Sequence, residues 1–424
     1  TEVRCIFTHT QPTAPYRGAG RPEAIYAIER VIDLAADELG MDRIALRQKN
    51  LIPPEAMPFR TGLDYTYDSG DFPKNMALAL QSADWAGFEA RRAAAKARGK
   101  LRGIGIANAI ESAGGPHRGP MEEAAEIRFD SGGSVTLLMG SHNHGQGHET
   151  VFRQIASERL GIPAERIRFI NGDTDIVTHG RGTIGSRSMM AAGGALMAAA
   201  DRIIERGKKI ASHFLEASEA DIEFAEGQFR VAGTDRGIGI EALARRSYVP
   251  GQLPMGEELG LSALLITRPG DATFPNGCHI AEVEIDPETG ETQTVAYVVV
   301  DDVGRVINPL LLKGQIHGGI AQGLGQVFGE DIRYDAHGQL LTASFADYLM
   351  PRAADFPDMV VKSNPVPTKT NALGVKGAGE AGTVGALPVL INAVVDALRP
   401  LGIHHVEMPA SPERVWSAIR AAGQ

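Results

Sequence analysis

Cysteine is scarce in this sequence. Only Cys5 and Cys278 occur among 424 residues, and they stand far apart in the chain. Two thiols exclude a disulfide framework, and they cannot supply the four ligands of an iron–sulfur cluster or of a structural zinc site. We therefore expect a protein of a reducing compartment, with a cytoplasmic location.

Positive charge is in deficit. The chain has 42 lysines and arginines against 52 aspartates and glutamates, which gives a formal net charge of −10 at pH 7. No basic surface is left over to neutralise phosphates. This balance argues against nucleic acid and against an anionic membrane as partners.

Long apolar runs and a leader are also lacking. We expect no uninterrupted apolar stretch long enough to span a bilayer, and no basic-then-apolar segment opens the sequence. The first residue is Thr1 rather than methionine, and the first glycine-rich motif follows within about twenty residues. The chain is therefore expected to be a processed product, a fragment or one piece of a split subunit.

Glycine, in contrast, is abundant, with 50 residues. Because they follow no collagen period and form no low-complexity run, they indicate tight turns and loops that lie close to a ligand. The chain also exceeds the length at which one hydrophobic core stops growing. We predict two subdomains, residues 1–245 and 246–424.

The hydrophobic periodicity predicts an α+β fold with mixed sheets and packed helices. Helices are predicted over residues 22–40, 84–98, 149–160, 191–206, 210–217, 315–327 and 387–398. Strands are predicted over residues 103–110, 126–130, 135–140, 167–171, 277–286 and 291–301. Turn residues between the second and third strands, and between the last two, predict two hairpins.

The run from Gly374 to Gly385 is the most informative about function. Glycines surround Glu380, and an apolar helical segment follows directly. A carboxylate held there is a candidate general base, whose pKa desolvation raises and the helix N-terminus with Lys376 lowers. The alternative is a helix N-cap region in which Glu380 only complements the helix dipole. The run alone leaves both interpretations open.

A second glycine-rich run, residues 141–150, lies between a predicted strand and a predicted helix. Its backbone N–H groups and the Gln146 amide suit an anion or the polar edge of a ring. The histidines of this run, His142, His144 and His148, raise the alternative of a metal site. No carboxylate stands at ligand spacing, so we expect them to be ordinary polar turn residues.

Two further glycine-rich runs precede predicted helices. One of them offers three hydroxyls that suit a phosphate, those of Thr183, Ser186 and Ser188. A serine-capped helix is the alternative there. In the other run, Arg17 is placed to hold an anionic group or to pair with a surface carboxylate. Four such runs with a single candidate base predict one extended, phosphate-bearing cofactor held mainly by backbone and amide contacts. No Rossmann or Walker pattern and no Ser-His-Asp or Cys-His arrangement competes with this interpretation.

The order of these motifs resembles that of the molybdenum hydroxylases, the family of xanthine dehydrogenase, aldehyde oxidoreductase, quinoline dehydrogenase and aerobic carbon monoxide dehydrogenase. The matching motifs are Pro-Tyr-Arg17-Gly-Ala-Gly-Arg-Pro-Glu, Gly-Gln146-Gly-His, Gly-Thr183-Ile-Gly-Ser186-Arg-Ser188, Asn308-Pro with Gly-Gln315-Ile-His-Gly-Gly, and Lys376-Gly-Ala-Gly-Glu380. Five motifs in the same order, running nearly end to end, make the resemblance specific. They correspond to the C-terminal half of the family's molybdopterin-binding large subunit.

The resemblance implies a molybdenum-cofactor-binding domain of the xanthine oxidase type. The implied cofactor is molybdopterin cytosine dinucleotide with molybdenum, the metal being held by the pterin dithiolene without a direct protein ligand. Glu380 is then the base that activates the attacking oxygen, which comes from water and enters an aldehyde or an aromatic N-heterocycle. The residues that the resemblance places at the cofactor are Arg17, Gly18, Gln146, Gly147, Thr183, Gly185, Ser186, Arg187, Ser188, Gln315 and Lys376.

Two departures from the family narrow the expected substrate. Gly18 stands where carbon monoxide dehydrogenase has a copper-carrying cysteine, which argues against carbon monoxide. Ala19 stands where xanthine dehydrogenases have a phenylalanine that packs on the purine, which puts purine hydroxylation in doubt.

The family's upstream Gly-Gly-Phe-Gly-Gly segment is absent from this sequence. We therefore expect a partner chain with the N-terminal half, an iron–sulfur subunit with a [2Fe-2S] centre and, as an optional member, a flavin subunit with FAD.

Two alternatives to a molybdenum-dependent catalytic role are open. A noncatalytic cofactor-binding or assembly subunit would keep the loops without turnover, but it has no evident need of Glu380. A nucleotide-binding enzyme without molybdenum is the other, and the resemblance argues against it.

The substrate pocket would include variable loops such as residues 110–117, where Glu111 and His117 are candidates for substrate contact. Because loops are polar by default, we expect both to be solvated loop residues.

Overall fold

The computed structural model describes residues 4, 6–8, 10, 14–114 and 121–423. Cys5 and His117 lie outside these residues. In the described part of the chain, the α-helices are α1 Arg21–Leu39, α2 Arg43–Asn50, α3 Phe72–Ser82, α4 Phe88–Ala97, α5 His148–Leu160, α6 Gly193–Phe214, α7 Ile240–Arg246, α8 Pro309–Phe328, α9 Ala381–Val384, α10 Ala386–Leu398 and α11 Pro412–Ala422. The strands are β1 Phe59–Arg60, β2 Thr66–Tyr67, β3 Leu101–Ile110, β4 Glu123–Phe129, β5 Val135–Met139, β6 Ile167–Asn171, β7 Ile222–Ala225, β8 Gln228–Val231, β9 Gly237–Gly239, β10 Ser262–Thr267, β11 Asn276–Ile285, β12 Thr292–Asp302 and β13 Met359–Ser363.

Two four-stranded mixed sheets form the framework. The first has the order β10-β4-β5-β6 and the second the order β13-β12-β11-β3. Each contains one parallel pair, β5 with β6 and β12 with β13, and the other pairs are antiparallel. Both predicted hairpins are confirmed, with Phe129 opposite Val135 in one and Ile285 opposite Thr292 in the other.

The chain passes between the two sheets more than once. Strand β3 belongs to the second sheet although it precedes all strands of the first, and β10 returns to the first sheet from beyond residue 245. Each large sheet therefore takes strands from both predicted subdomains. The division at residues 245 and 246 stays a prediction.

The first core lies between the first sheet and helices α5 and α6, which pack on each other. Side chains that alternate along β4 and β5 point into it, as expected of strands with one covered face. The fully buried residues include Phe129, Leu137, Phe152, Leu196 and Ile203. This core fixes the start of α5 and the start of α6 relative to the same sheet.

The second core surrounds α10, all of whose residues are buried. The helix packs against β3, β11, α1 and α8. By length and composition alone, the stretch Ala381–Leu401 could cross a membrane, although Asn392, Asp396 and Arg399 interrupt its apolar character. It is 100% buried inside the protein. Its apolar character is explained by its position in this core.

One predicted boundary is wrong. The sequence predicts two helices over residues 191–206 and 210–217, whereas the structure has the single helix α6. Gly207 does not end the helix. A Cβ at this position would lie 2.2 Å from the Phe229 ring, so the absent side chain makes room for that ring against the helix. A π-helical turn, Ser188–Ala192, precedes α6.

Candidate functional site

The predicted ligand-binding loops meet at one cavity of about 620 Å³. Five segments line it, residues 15–19, 144–151, 183–189, 303–315 and 375–380. Each segment leads into the N-terminus of a helix, namely α1, α5, the π-helical turn before α6, α8 and α9. Backbone N–H groups at helix starts have no partner within the helix. The fold thus gathers five helix starts around one space, and the positive ends of helix dipoles with them.

Glu380 is fixed at the wall of this cavity by both of its carboxylate oxygens. The Gly18 backbone N–H donates to Oε1 over 2.7 Å, and the Ser186 hydroxyl donates to Oε2 over 2.8 Å. The Ser186 oxygen in turn accepts the backbone N–H of Glu380 over 3.0 Å. Glu380 occupies the N-cap position of α9, but its side chain makes no capping hydrogen bond. Its oxygens are therefore committed to Gly18 and Ser186 rather than to the helix.

The environment of Glu380 acts on its pKa in two directions. Burial raises the pKa, while hydrogen bonds from Glu111, the Gly18 N–H and Ser186, together with the charge of Arg21, lower it. The lowering effects prevail, and the pKa of Glu380 is below its ordinary value. Glu380 is thus ionised at neutral pH and able to accept a proton. Lys376, expected to contribute to this lowering, is not among the causes.

Ser186 has an unusual backbone conformation. Its φ angle is 54°, in the left-handed region that residues with a side chain rarely adopt. Such a conformation costs on the order of 1–3 kcal/mol and persists only where surrounding contacts enforce it. Here the two hydrogen bonds with Glu380 depend on this conformation, and the Gly185 carbonyl accepts the Gly114 N–H over 3.1 Å. The strain lies beside the candidate base.

Arg17 connects two walls of the cavity. Its guanidinium donates to the carbonyl of Gly379 and, over 2.9 Å, to the carbonyl of Gln315 on α8. The Arg17 carbonyl accepts the Gln322 side-chain amide over 2.8 Å. Arg17 therefore holds the Glu380 loop against α8, with Gly18 directly after it in position to contact Glu380. Arg17 itself lines the cavity, and its assignment to the cofactor stays a prediction.

The start of α5 is open to a ligand. Gly147 is its N-cap, with φ 81°, and no side chain caps the helix. The neighbouring Gln146 amide oxygen accepts the His144 backbone N–H, which orders the turn. Gln146 and His148 line the cavity on either side of this cap. Uncapped N–H groups at a cavity favour a phosphate.

His148 is buried and neutral. Burial, followed by the charges of His144 and His142, lowers its pKa to about 4. Its Nδ1 atom is buried and has no hydrogen-bond partner among the residues that the structure describes, although His148 lines the cavity. A polar ligand in the cavity would give this atom a partner. Within the described residues, no group of three or more His, Cys, Asp or Glu side chains could hold a metal ion.

Hydroxyl groups line the wall that leads to α6. Thr183 donates to the His142 carbonyl over 2.5 Å, and its oxygen lies 3.0 Å from that of Ser188. Ser188 opens the π-helical turn, and Gly185 lies between the two. All three residues line the cavity. The predicted group Thr183, Gly185, Ser186 and Ser188 is thus brought together with Gln146 and Gln315.

Two predicted cofactor residues direct their charges elsewhere. The Lys376 ammonium is buried 2.5 Å from Asp302 Oδ2 and 3.2 Å from the Ser69 carbonyl. The Arg187 guanidinium is buried 2.6 Å from Glu123 Oε2. Lys376 nevertheless lines the cavity, and the assignment of both residues to the cofactor stays a prediction. Both cations tie a cavity loop to the strands behind it.

Glu111 is the residue that sequence reasoning misjudged. The expectation that it is a solvated loop residue is wrong, because it is only 1% exposed and its carboxyl group lies against that of Glu380. Its position directly after the buried strand β3 is the signal that could have indicated burial. The apolar wall of the cavity, Met189, Val303, Val306, Leu311 and Leu312, was also missed, since no motif marks it.

Comparison with known proteins agrees with this geometry. The sequence matches the molybdopterin cofactor-binding domain over residues 78–357 and again over residues 1–51. It is 36% identical, over 431 residues, to the carbon monoxide dehydrogenase large chain of Hydrogenophaga pseudoflava, covering 99% of this chain and 53% of that protein. The chain spans about half the length of the curated relatives that it matches.

Solved structures give the same result. A crystal structure of Cu,Mo-CO dehydrogenase superimposes with a TM-score of 0.90 at 37% identity, covering 96% of this chain and 53% of that chain. Quinoline 2-oxidoreductase from Pseudomonas putida 86 superimposes with a TM-score of 0.89 at 34% identity, covering 96% and 53% respectively. The expected α+β fold with mixed sheets and packed helices is confirmed, and so is the resemblance drawn from five motifs. The chain belongs to the molybdenum hydroxylase family and corresponds to part of its molybdopterin-binding large subunit.

Proposed function

We propose that this chain is the catalytic, cofactor-binding component of a molybdenum hydroxylase, with Glu380 as the general base. The observation that carries the proposal is the position of Glu380. It is an ionised carboxylate, 7% exposed, fixed by Gly18 and Ser186 at the wall of the cavity where all five family motifs meet. A pure binding module has no evident need of a base held in this way.

The residues around the cavity fit a molybdopterin dinucleotide. The uncapped start of α5 suits a phosphate, and the unpartnered Nδ1 of His148 suits a polar edge of the ligand. Gln146, Thr183, Ser188 and Gln315 offer amide and hydroxyl groups on the remaining polar walls. Bacterial relatives generally use the cytosine dinucleotide form, and we propose the same form here.

The role of Glu380 follows from its contacts. The bound cofactor would supply a two-electron redox centre and the oxygen to be transferred. Glu380 accepts a proton on its carboxylate, while Gly18 and Ser186 keep both oxygens oriented through the transfer. A base that is already ionised at neutral pH needs no prior deprotonation. The apolar wall formed by residues such as Val303 and Leu311 limits water beside it.

The proposed substrate is an aldehyde or an aromatic N-heterocycle. The similarity to quinoline 2-oxidoreductase supports the heterocycle. Similarity to carbon monoxide dehydrogenases does not bring copper chemistry with it, because Gly18 has no thiol. Its φ angle is +105°, and a Cβ there would lie 2.4 Å from Pro22 Cγ. The backbone of this loop thus leaves no room for a cysteine in place of Gly18.

The proposed partners complete the enzyme. The chain corresponds to about half the length of its relatives, and we propose that the N-terminal half of the large subunit completes the enzyme. Electrons would leave through an iron–sulfur subunit with a [2Fe-2S] centre, with FAD on a flavin subunit as an optional further step. Cys278 is not available as a ligand of an iron–sulfur cluster, because it is fully buried and burial raises the pKa of its thiol. A cytoplasmic location also stays a prediction.

The test compares Glu380→Gln with Glu413→Gln in the complex purified from the native source. Glu413 is an exposed glutamate on α11 and serves as the control. We expect E380Q to lose turnover of aldehydes and N-heterocycles by a factor of about 10² or more, with unchanged molybdenum content. E413Q should keep both. Unchanged turnover in E380Q would favour the alternative of a noncatalytic cofactor-binding or assembly subunit.

A further inference from the structure

A second buried carboxyl group lies behind the candidate base. Glu111 follows the last residue of β3, and its backbone N–H donates to the Pro275 carbonyl over 2.9 Å. The side chain is 1% exposed, and it is not part of the cavity lining. Its carboxyl group meets the carboxyl group of Glu380. No step of the proposed reaction has so far required it.

The two carboxyl groups differ in the hydrogen bonds that they accept. Glu380 accepts an N–H from Gly18 and an O–H from Ser186. Among the described residues, no N–H or hydroxyl donates to either buried oxygen of Glu111, and the nearby Ser186 hydroxyl directs its single proton to Glu380. Two carboxyl groups in contact cannot both be ionised at low cost, and a hydrogen bond between them requires one proton. The proton belongs on the group without donors, which is Glu111.

Charged neighbours do not reverse this assignment. In the described part of the chain, Arg17 and Arg21 are the cations that face the pair, and Arg17 interacts with both carboxyl groups. Burial and then Glu380 raise the pKa of Glu111 well above its ordinary value, while Ser186 and Arg21 oppose the rise. The guanidinium of Arg17 is committed to the carbonyls of Gly379 and Gln315. The described charges around the pair thus favour a proton on Glu111 rather than on Glu380.

We propose that Glu111 is a positioning residue, kept as a neutral carboxylic acid, whose O–H donates to Glu380 and holds that base in its ionised form. The pair carries one proton at rest and two after Glu380 has accepted one. Glu111 keeps its own proton throughout. The effect on turnover rests on the proposed function, whereas the location of the proton does not.

The first test is infrared spectroscopy of the native complex at neutral pH, as the difference between wild type and Glu111→Gln. We expect the wild type to show a carbonyl band of a neutral carboxylic acid that E111Q lacks. Carboxylate bands in place of that band would show Glu111 to be ionised and would overturn the proposal. This readout requires no turnover, so it stands even if E380Q proves fully active and the proposed base is wrong.

The second test is the pH dependence of kcat/KM in wild type, E111Q and E111L. The active form of Glu380 is the carboxylate, which is lost as the pH falls through its pKa. Leucine removes the O–H donor, so the midpoint of the acid limb should move to higher pH. Glutamine keeps a neutral donor, so its midpoint should stay near that of wild type. An E111Q midpoint that moves as far as that of E111L, or an E111L midpoint that does not move, would overturn the proposal.

Discussion

The backbone N–H of Gly18 donates to Oε1 of Glu380 over 2.7 Å, although 362 residues separate them in the chain. The contact joins the loop before α1 to the loop before α9. A backbone donor cannot be lost by a change of rotamer, so the orientation of the base depends on the path of the chain at Gly18. This path requires a φ angle of +105° with no side chain.

Gly18→Ala should therefore disturb both stability and catalysis. Its Cβ would clash with Pro22, which we expect to lower the free energy of unfolding by about 2 kcal/mol and to reduce turnover through displacement of the Gly18 N–H. Gly20→Ala is the matched control, because Gly20 also has a positive φ angle but nothing lies within 4 Å of a Cβ there. Denaturant titration measures the free energy of unfolding of both variants, and steady-state kinetics measures their turnover. Equal effects would show that the clash is unimportant.

Ser186→Ala should weaken Glu380 as a base without removing it. The variant loses a hydrogen bond to a charged carboxylate, worth about 1.5–3 kcal/mol, and the pKa of Glu380 should rise. We expect kcat/KM to fall about tenfold with an acid limb displaced to higher pH. Ser218→Ala, at an exposed serine without a capping hydrogen bond, should match wild type. If kcat/KM of S186A depended on pH as that of wild type does, the hydrogen bond from Ser186 would not be needed to hold Glu380 as a base.

Lys376→Met should be strongly destabilising. The variant leaves the carboxylate of Asp302 buried without its ammonium partner, which typically costs about 3–5 kcal/mol. Lys362→Met, at an exposed residue of β13, should have little effect. The double variant K376M/D302N should recover part of the loss, since the uncompensated charge is gone. Thermal unfolding of the three proteins measures this, and a K376M melting temperature equal to that of wild type would show that the pair is not structural.

His148 should make stability depend on pH between about 4 and 6.5. Its pKa is lowered in the folded chain, so the unfolded chain binds more protons in this window and the free energy of unfolding falls as the pH falls from 6.5. His148→Gln should reduce this slope, and His405→Gln, at an exposed histidine, should not. Melting temperatures measured across the window, in the absence of bound cofactor, test it. If the pH dependence of stability were unchanged in H148Q, a residue other than His148 would take up the proton on unfolding.

The sequence predicts the local elements of this fold better than their arrangement. Regular periodicity and turn glycines allowed α1, α5 and both hairpins to be placed within a few residues. The same rule failed at Gly207, where the reason for glycine is the distant Phe229 ring rather than a helix end. That β3 joins the second sheet depends on pairing with β11, which no local pattern encodes.

The site shows the same division. Glycine-rich runs with a carboxylate, an amide and hydroxyls identify the cavity loops, because they precede helix starts whose backbone N–H groups suit a ligand. The direction in which a charged side chain on a loop points depends on the residues that pack around it in the fold. Lys376 and Arg187 were therefore expected at the cofactor, whereas their observed partners are Asp302 and Glu123. Glu111 was misjudged for the same reason, since burial after β3 depends on the Glu380 loop that covers it.

The most direct test of the central claim is the molybdenum and nucleotide content of this chain, purified with whatever copurifies from its native source. Elemental analysis gives the metal, and acid hydrolysis releases the nucleotide. The account predicts about one molybdenum and about one cytidine nucleotide per chain, as expected for a cavity that holds one dinucleotide cofactor. A complex with its natural partners that contains neither would contradict it.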